Sequence, residues 1–166
     1  MAQVIGSPER PYSGSLTILD DTGLTIAVTT GGTYQGVLHA STMVSGHTAC
    51  GLTVAATTGT ITVPIGASGL YEVKCTGVCL PANSKTVLLR VAVDGTNLAA
   101  TAGAGGAGAR IVGAATALEE SFALHSLVDV DASTAAKAFR INVTSTSDSD
   151  NVNFKRFNFT VVRVGA

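Results

Sequence analysis

The sequence predicts an all-β protein, an antiparallel β-sandwich of about eight to ten strands. Three observations carry this. Apolar and polar residues alternate with period two, the spacing that puts them on opposite faces of a strand. Val and Thr are abundant, and their branched β-carbons fit the pleated surface of a sheet. Gly, Asp, Asn and Pro punctuate the alternating runs at intervals that suit turns. No stretch shows a convincing helical period. The best helix candidate, Ala114–Leu127, suits a turn followed by a strand equally well.

Taken in order, Met1–Ser15 lacks alternation and holds Gly6, Pro8, Pro11 and Gly14, so it reads as an extended arm. Leu16 and Ile18, then Leu24, Ile26 and Val28, flank Asp20-Asp21-Thr22-Gly23, which is expected to turn a hairpin. Tyr34 to Leu38 is a candidate short strand. Thr60-Ile61-Thr62-Val63 alternates, and Pro64 marks a strand end or a sheet edge. In Gly69–Cys79, Tyr71, Val73, Cys75 and Cys79 share one face, and Glu72, Lys74 and Thr76 the other. Lys85–Val93 gives the clearest strand, with Val87, Leu89, Val91 and Val93 on one side and Leu88, Arg90 and Ala92 on the other. Asp94-Gly95 closes it with a hairpin signal. Ala99–Ala109, almost all Ala and Gly, is expected as a loop. Strand-like runs resume at Arg110–Ala114, Phe122–Val130 and Phe139–Thr144. After the polar loop Ser145–Asn151, a last run from Val152 to Val164 places Phe157, Phe159 and Val161 on one face.

At 166 residues the chain is expected to form one domain over residues 16–166, preceded by the arm 1–15. Apolar residues make up 46% and charged residues only 13%, and the mean hydropathy is +0.40. Yet no uncharged run approaches the roughly 20 residues of a membrane helix. Apolar surface of this kind is commonly buried between subunits, so an oligomer is expected, with no membrane partner. A net charge of −1 argues against nucleic acid, which demands clustered Lys and Arg. The first residues, Met-Ala-Gln-Val-Ile-Gly-Ser-Pro, show neither the basic start nor the apolar segment of a secretory signal, so cytosolic synthesis is expected. Cys75 and Cys79, at i and i+4 on one strand, are about 13 Å apart. A disulfide needs less than about 7 Å. Free thiols are therefore expected at both and at Cys50.

Candidate sites are weak. Gly103-Ala104-Gly105-Gly106-Ala107-Gly108 matches the dinucleotide fingerprint G-x-G-x-x-G, with Asp129 at about the spacing of a ribose-binding acid. The fingerprint needs a strand running directly into the glycines and a helix after them. Neither is expected here, so a plain loop is the better reading. His39, His47 and His125 lack zinc-ligand spacing. No Gly-x-Ser-x-Gly elbow is present. Glu119-Glu120 reads as a solvated turn rather than a carboxylate pair. Asp148-Ser149-Asp150-Asn151 offers a row of oxygen ligands but no glycine and distal Glu to complete a calcium cage. Asn142-Val143-Thr144 and Asn158-Phe159-Thr160 are glycosylation sequons by pattern alone. No catalytic residue, cofactor site or metal site is assigned, and the chain is not expected to be an enzyme.

The succession Ile61-Thr62-Val63-Pro64, Gly69-Leu70-Tyr71-Glu72-Val73 and Leu88-Leu89-Arg90-Val91-Ala92-Val93-Asp94-Gly95 resembles the middle of a jelly roll of the tumour-necrosis-factor and complement-globular-head type. The closing strand rich in Phe and Val, Phe157–Val164, is similar as well. The resemblance runs from about Thr60 to Ala166. It implies a jelly-roll sandwich and a homotrimer, and supplies no catalytic residue. Richness in Ala, Gly, Thr and Val and the extended arm are similar to jelly rolls of bacteriophage virions, where such domains serve as head decoration (cement) proteins or fibre tips. The expected function is a structural virion protein that cements a phage capsid, with a viral capsid protein and two further copies of itself as partners. The alternative is a fibre-tip or lectin-like module that recognises a cell-surface ligand through Ala99–Ala109 and Ser145–Asn151.

Overall fold

The computed structural model describes residues 12–18, 24–28, 31–36, 43–44, 50–81, 85–98, 108–113, 118–147 and 150–165. Among them are thirteen strands and no helix. In order these are β1 (Ser13–Ile18), β2 (Leu24–Val28), β3 (Gln35–Gly36), β4 (Met43–Val44), β5 (Thr53–Ala55), β6 (Thr60–Val63), β7 (Gly69–Leu80), β8 (Thr86–Val93), β9 (Thr96–Asn97), β10 (Gly108–Val112), β11 (Glu120–Val130), β12 (Lys137–Ser145) and β13 (Asp150–Gly165).

They form two antiparallel sheets. One runs β11-β7-β13-β1-β4, with β2 also on β13. The other runs β10-β8-β12-β6-β5, with β3 on β12 and β9 on β8. Chain neighbours β6 and β7, β7 and β8, β10 and β11, and β12 and β13 lie in opposite sheets, so the chain crosses repeatedly from layer to layer. This is the jelly-roll arrangement, and the all-β expectation holds.

The period-two faces are those expected. Tyr71, Val73, Cys75 and Cys79 of β7 are buried, as are Val87, Leu89 and Val91 of β8 and Phe139, Ile141 and Val143 of β12. They interdigitate between the sheets, with Tyr71 and Phe139 ring centroids 6.0 Å apart across the layer. Tyr71 hides its polar tip by donating from its hydroxyl to the Ala67 carbonyl at 2.6 Å. Asp94 and Gly95 form the two-residue β8–β9 turn, with φ of 49° and 82°. Both angles are positive, as a hairpin turn matched to strand twist requires.

Three expectations change. β1 and β2 do not pair with each other, as a hairpin turned at 20–23 would require. Both strands pair antiparallel with the same edge of β13, β1 along Asn158–Val162 and β2 along Asp150–Phe154. A strand of 16 residues offers an edge long enough for both, so the chain runs on in one direction and each backbone is satisfied on β13. Residues 19–23 themselves lie outside the described residues. Second, the arm expected over 1–15 overlaps β1. Ser13, Gly14 and Ser15 pair with Val162, Val161 and Thr160, and Gly14 is buried where a Cβ would stand 3.0 Å from both Ile61 and Val54. Residues 1–11 lie outside the described residues. Third, the loop expected over 99–109 ends earlier, because Gly108 opens β10 opposite Arg90. Residues 99–107, and with them most of the glycine fingerprint, lie outside the described residues.

Candidate functional site

The outer face of the six-stranded sheet is built from the polar positions of four long strands. Register sets its rows. Leu127 of β11 stands opposite Glu72 of β7, which stands opposite Val162 of β13, which stands opposite Ser13 of β1. The next row is His125, Lys74, Thr160 and Ser15, and the one after it Ala123, Thr76, Asn158 and Thr17. Most of these side chains are short. Strands alone would leave such a face free to pack against another sheet.

Charge is concentrated at the centre and is internally balanced. Glu72 Oε2 lies 2.9 Å from Lys74 Nζ, and its Oε1 lies 2.9 Å from His125 Nε2. The hydrogen bond from Lys74 holds the Glu72 carboxyl below its ordinary value, and His125 adds to the effect. Sequence reasoning found no partner for His125, because Glu72 is 53 residues away and only the β7–β11 register brings them together. At one end of the face the character turns apolar. Leu127 is 46% exposed and Val164 52%, with half-buried Glu72, Leu70 and Val162 between them and exposed Asp129 opposite Leu70. Exposed Ile65 occupies the β6–β7 turn at the same end, where Gly66 N–H bonds the Ala132 carbonyl. Large exposed apolar side chains grouped this way are the usual mark of a protein contact.

The other sequence candidates are dispersed. Glu119 is a solvated residue paired with Lys155 Nζ at 2.6 Å, and Glu120 begins β11. His39, His47, Asp148 and Ser149 lie outside the described residues. Asn142 is buried in β12, so its sequon is closed to modification, whereas Asn158 is exposed. No group of His, Cys, Asp and Glu among the described residues is arranged to hold a metal. All three cysteines are free, Cys75 and Cys79 buried and Cys50 partly exposed. Burial pushes the Cys75 thiol well up, and it pushes that of Cys79, with help from the Glu120 charge, up to about 12. Neither is a nucleophile in the folded protein.

The opposite face, on the seven-stranded sheet, carries a second polar group. Arg90 of β8 lies over Gly108 and donates to Tyr34, Asn142 of β12 donates to Asn97, and Arg140 of β12 lies over Gly95. No sequence pattern foretold it, since its members come from four separate strands and turns.

No protein-family model matches the sequence, and no curated protein matches it. Solved structures do. Over 92% of this chain and 72% of its own, the PRD1 vertex protein P5 superposes with a TM-score of 0.55 at 16% identity. Eiger TNF from S. frugiperda matches with a TM-score of 0.58 and 12% identity, over 93% of this chain and 94% of that one. Murine APRIL matches with a TM-score of 0.58 and 10% identity, over 92% and 99%. Sequence identity this low speaks for the fold alone. In fold, the chain is a jelly roll of the tumour-necrosis-factor type, a form shared with the PRD1 vertex protein P5.

Proposed function

We propose that the chain is a non-enzymatic structural protein of a bacteriophage virion, a homotrimeric jelly roll that decorates or cements the capsid. The observation that carries the reading is the exposed apolar side chains Leu127, Val164 and Ile65 at one end of the six-stranded sheet, on a fold shared with the PRD1 vertex protein P5. Subunits would pack corner to corner, burying Leu127, Val164 and Ile65. The balanced Glu72–Lys74–His125 group lowers the cost of enclosing charge there. The segment before β1 would reach the shell or a neighbouring subunit. Its twelve residues, fully extended, would span roughly 40 Å. The role is mechanical, adding contacts between capsid subunits, and the site of action is the virion.

The test has two parts. Sedimentation equilibrium of the purified protein should give a trimer, and Leu127→Lys should give a folded monomer. The wild-type protein should co-sediment with intact capsids. A wild-type monomer at micromolar concentration removes the assembly reading, and failure to bind capsids removes the virion reading.

The second reading, a module that recognises a cell-surface ligand, is favoured by one observation. On the opposite sheet Arg90 Nη1 and Arg140 Nε are buried without partners.

A further inference from the structure

We propose that residues 1–5 of one subunit dock on the apolar end of a second copy of this chain, against Ile65 and Val164, with Tyr12 as the anchor from which they cross. The inference rests on the reading of the chain as an oligomer. It commits the segment before β1 to a neighbouring subunit rather than to the shell.

The anchor is built into the fold. Tyr12 is the first described residue, and it is held by both its backbone and its ring. Its carbonyl accepts from Arg163 N–H at 2.7 Å. Its ring packs against Gly51, where a Cβ would collide with it. The Arg163 guanidinium stands over the same ring, 5.6 Å from the centroid, close enough for a cation–π contact. Arg163 is fixed in turn, since its Nη2 donates to the Ser68 carbonyl at 2.7 Å and its Nε to the Gly165 carbonyl at 3.2 Å. One residue on, Ser13 N–H donates to the Cys50 carbonyl at 3.2 Å.

These contacts place the exit of the arm at the apolar end. Val164 follows Arg163 on β13, and Ser68, which Arg163 holds, lies three residues after Ile65 in the β6–β7 turn. Val164 is 52% exposed and Ile65 63%. Because β1 runs antiparallel to β13, the chain traced back from Tyr12 leaves the sheet at the end where β13 finishes.

The arm has the chemistry for such a surface. Residues 1–5 read Met-Ala-Gln-Val-Ile, uncharged and apolar but for the glutamine. Docked on Ile65 and Val164, they and the two exposed side chains all leave water. Between them and Tyr12 lie Gly6 and then Ser7-Pro8-Glu9-Arg10-Pro11. The two prolines fix their own φ, and each bars the residue before it, Ser7 and Arg10, from the helical region. Five such residues make a spacer of roughly 15 Å. Val164 of the same subunit is on the strand beside β1, about 5 Å across the sheet. The spacer carries Val4 and Ile5 past it, which favours the apolar end of a neighbouring copy.

The test is disulfide trapping in the full-length protein carrying Cys50→Ser, which leaves only buried Cys75 and Cys79 as native thiols. Ile5→Cys is combined with Val164→Cys and, in a second variant that serves where the first does not fold, with Ile65→Cys. Each cysteine introduced alone is the control. Mild oxidation should give species of two and three linked chains that vanish on reduction and are absent from the controls. Links confined within one chain, or no link in either folded pair, overturn the proposal. Joint Val4→Asp and Ile5→Asp should raise the trimer dissociation constant roughly tenfold or more, and an unchanged constant overturns it as well. A wild-type protein that sediments as a monomer removes the oligomer reading itself, whereas a wild-type trimer with an unlinked arm removes only the docking.

Discussion

Phe154 and Phe157 are three residues apart on one strand, yet both point into the core, with ring centroids 6.0 Å apart and planes at 79°. In an unbroken strand, residues of opposite parity face opposite ways. Here the register against β7 shifts between Lys155 and Asn158, and Arg156 takes a left-handed φ of 48°. The bulge resets the alternation, so Val152 and Phe154 are buried before it and Phe157, Phe159 and Val161 after it. Gly77 on β7 accommodates the aromatic group. A Cβ there would stand 3.0 Å from the Phe122 ring and 3.1 Å from Phe157 Cα.

Deleting Arg156 should therefore abolish folding. With a single parity along β13, either Val152 and Phe154 or Phe157, Phe159 and Val161 must face solvent. Each such side chain is worth about 1.5–3 kcal/mol of burial, and two or three of them approach the total stability of a domain, about 5–15 kcal/mol. Arg156→Gly suits the left-handed angle and should keep the fold. Near-ultraviolet circular dichroism and solubility distinguish the two variants. A deletion that melts cooperatively near the wild-type temperature would show that the bulge is dispensable.

Thiol labelling should divide the cysteines two to one. At about pH 8 an alkylating reagent should modify partly exposed Cys50 in the native protein. Cys75 and Cys79, buried and with thiols raised by desolvation, should react only after denaturation. Mass spectrometry counts one label before unfolding and three after. Native labelling of Cys75 would mean that the sheets part there.

The acid limb of stability should depend on Glu72. Its folded pKa lies below its ordinary value, so the stabilisation is fully present above the ordinary carboxyl range. It is lost as pH falls through the folded value, when Lys74 and His125 are left facing a neutral group. Glu72→Gln should lower the melting temperature at neutral pH, flatten its change between about pH 5 and about pH 3, and match the wild type in acid. Added salt should shrink the difference, because Lys74 and His125 are exposed and Glu72 partly so. An unaltered acid limb in the variant would show that the Lys74 and His125 contacts do not form in solution.

Two truncations separate the arm from the domain. Removing residues 1–11 leaves Tyr12, whose carbonyl accepts from Arg163 N–H at 2.7 Å and whose ring lies under the Arg163 guanidinium at 5.6 Å. That truncation should melt near the wild-type temperature and bind capsids less well. Removing residues 1–14 also takes Tyr12 and two paired residues of β1, so it should be less stable by about 1–3 kcal/mol. Urea denaturation and capsid co-sedimentation measure both. Undiminished capsid binding by the shorter truncation would mean that the arm is not an anchor.

The sequence by itself determined the strands and their faces. Tyr71, Val73 and Cys75 on β7, Val87, Leu89 and Val91 on β8, and Phe139, Ile141 and Val143 on β12 are legible because alternation is a local property of the chain. Asp94-Gly95 is legible for the same reason, since two residues supply the turn angles themselves. The break of parity between Phe154 and Phe157 was also written locally, across Lys155-Arg156, although Val152 and Phe154 escape notice when only the later phenylalanines are counted. What the tertiary structure decided is which strand meets which. Whether β1 folds back on β2 or runs on beside it depends on the free edge of β13, more than a hundred residues away. Glu72 meets His125, and Arg90 meets Tyr34, only through registers set between distant segments. Period two says which way a side chain points, but the choice of neighbour rests on packing two whole sheets around one core. No local pattern carries that information.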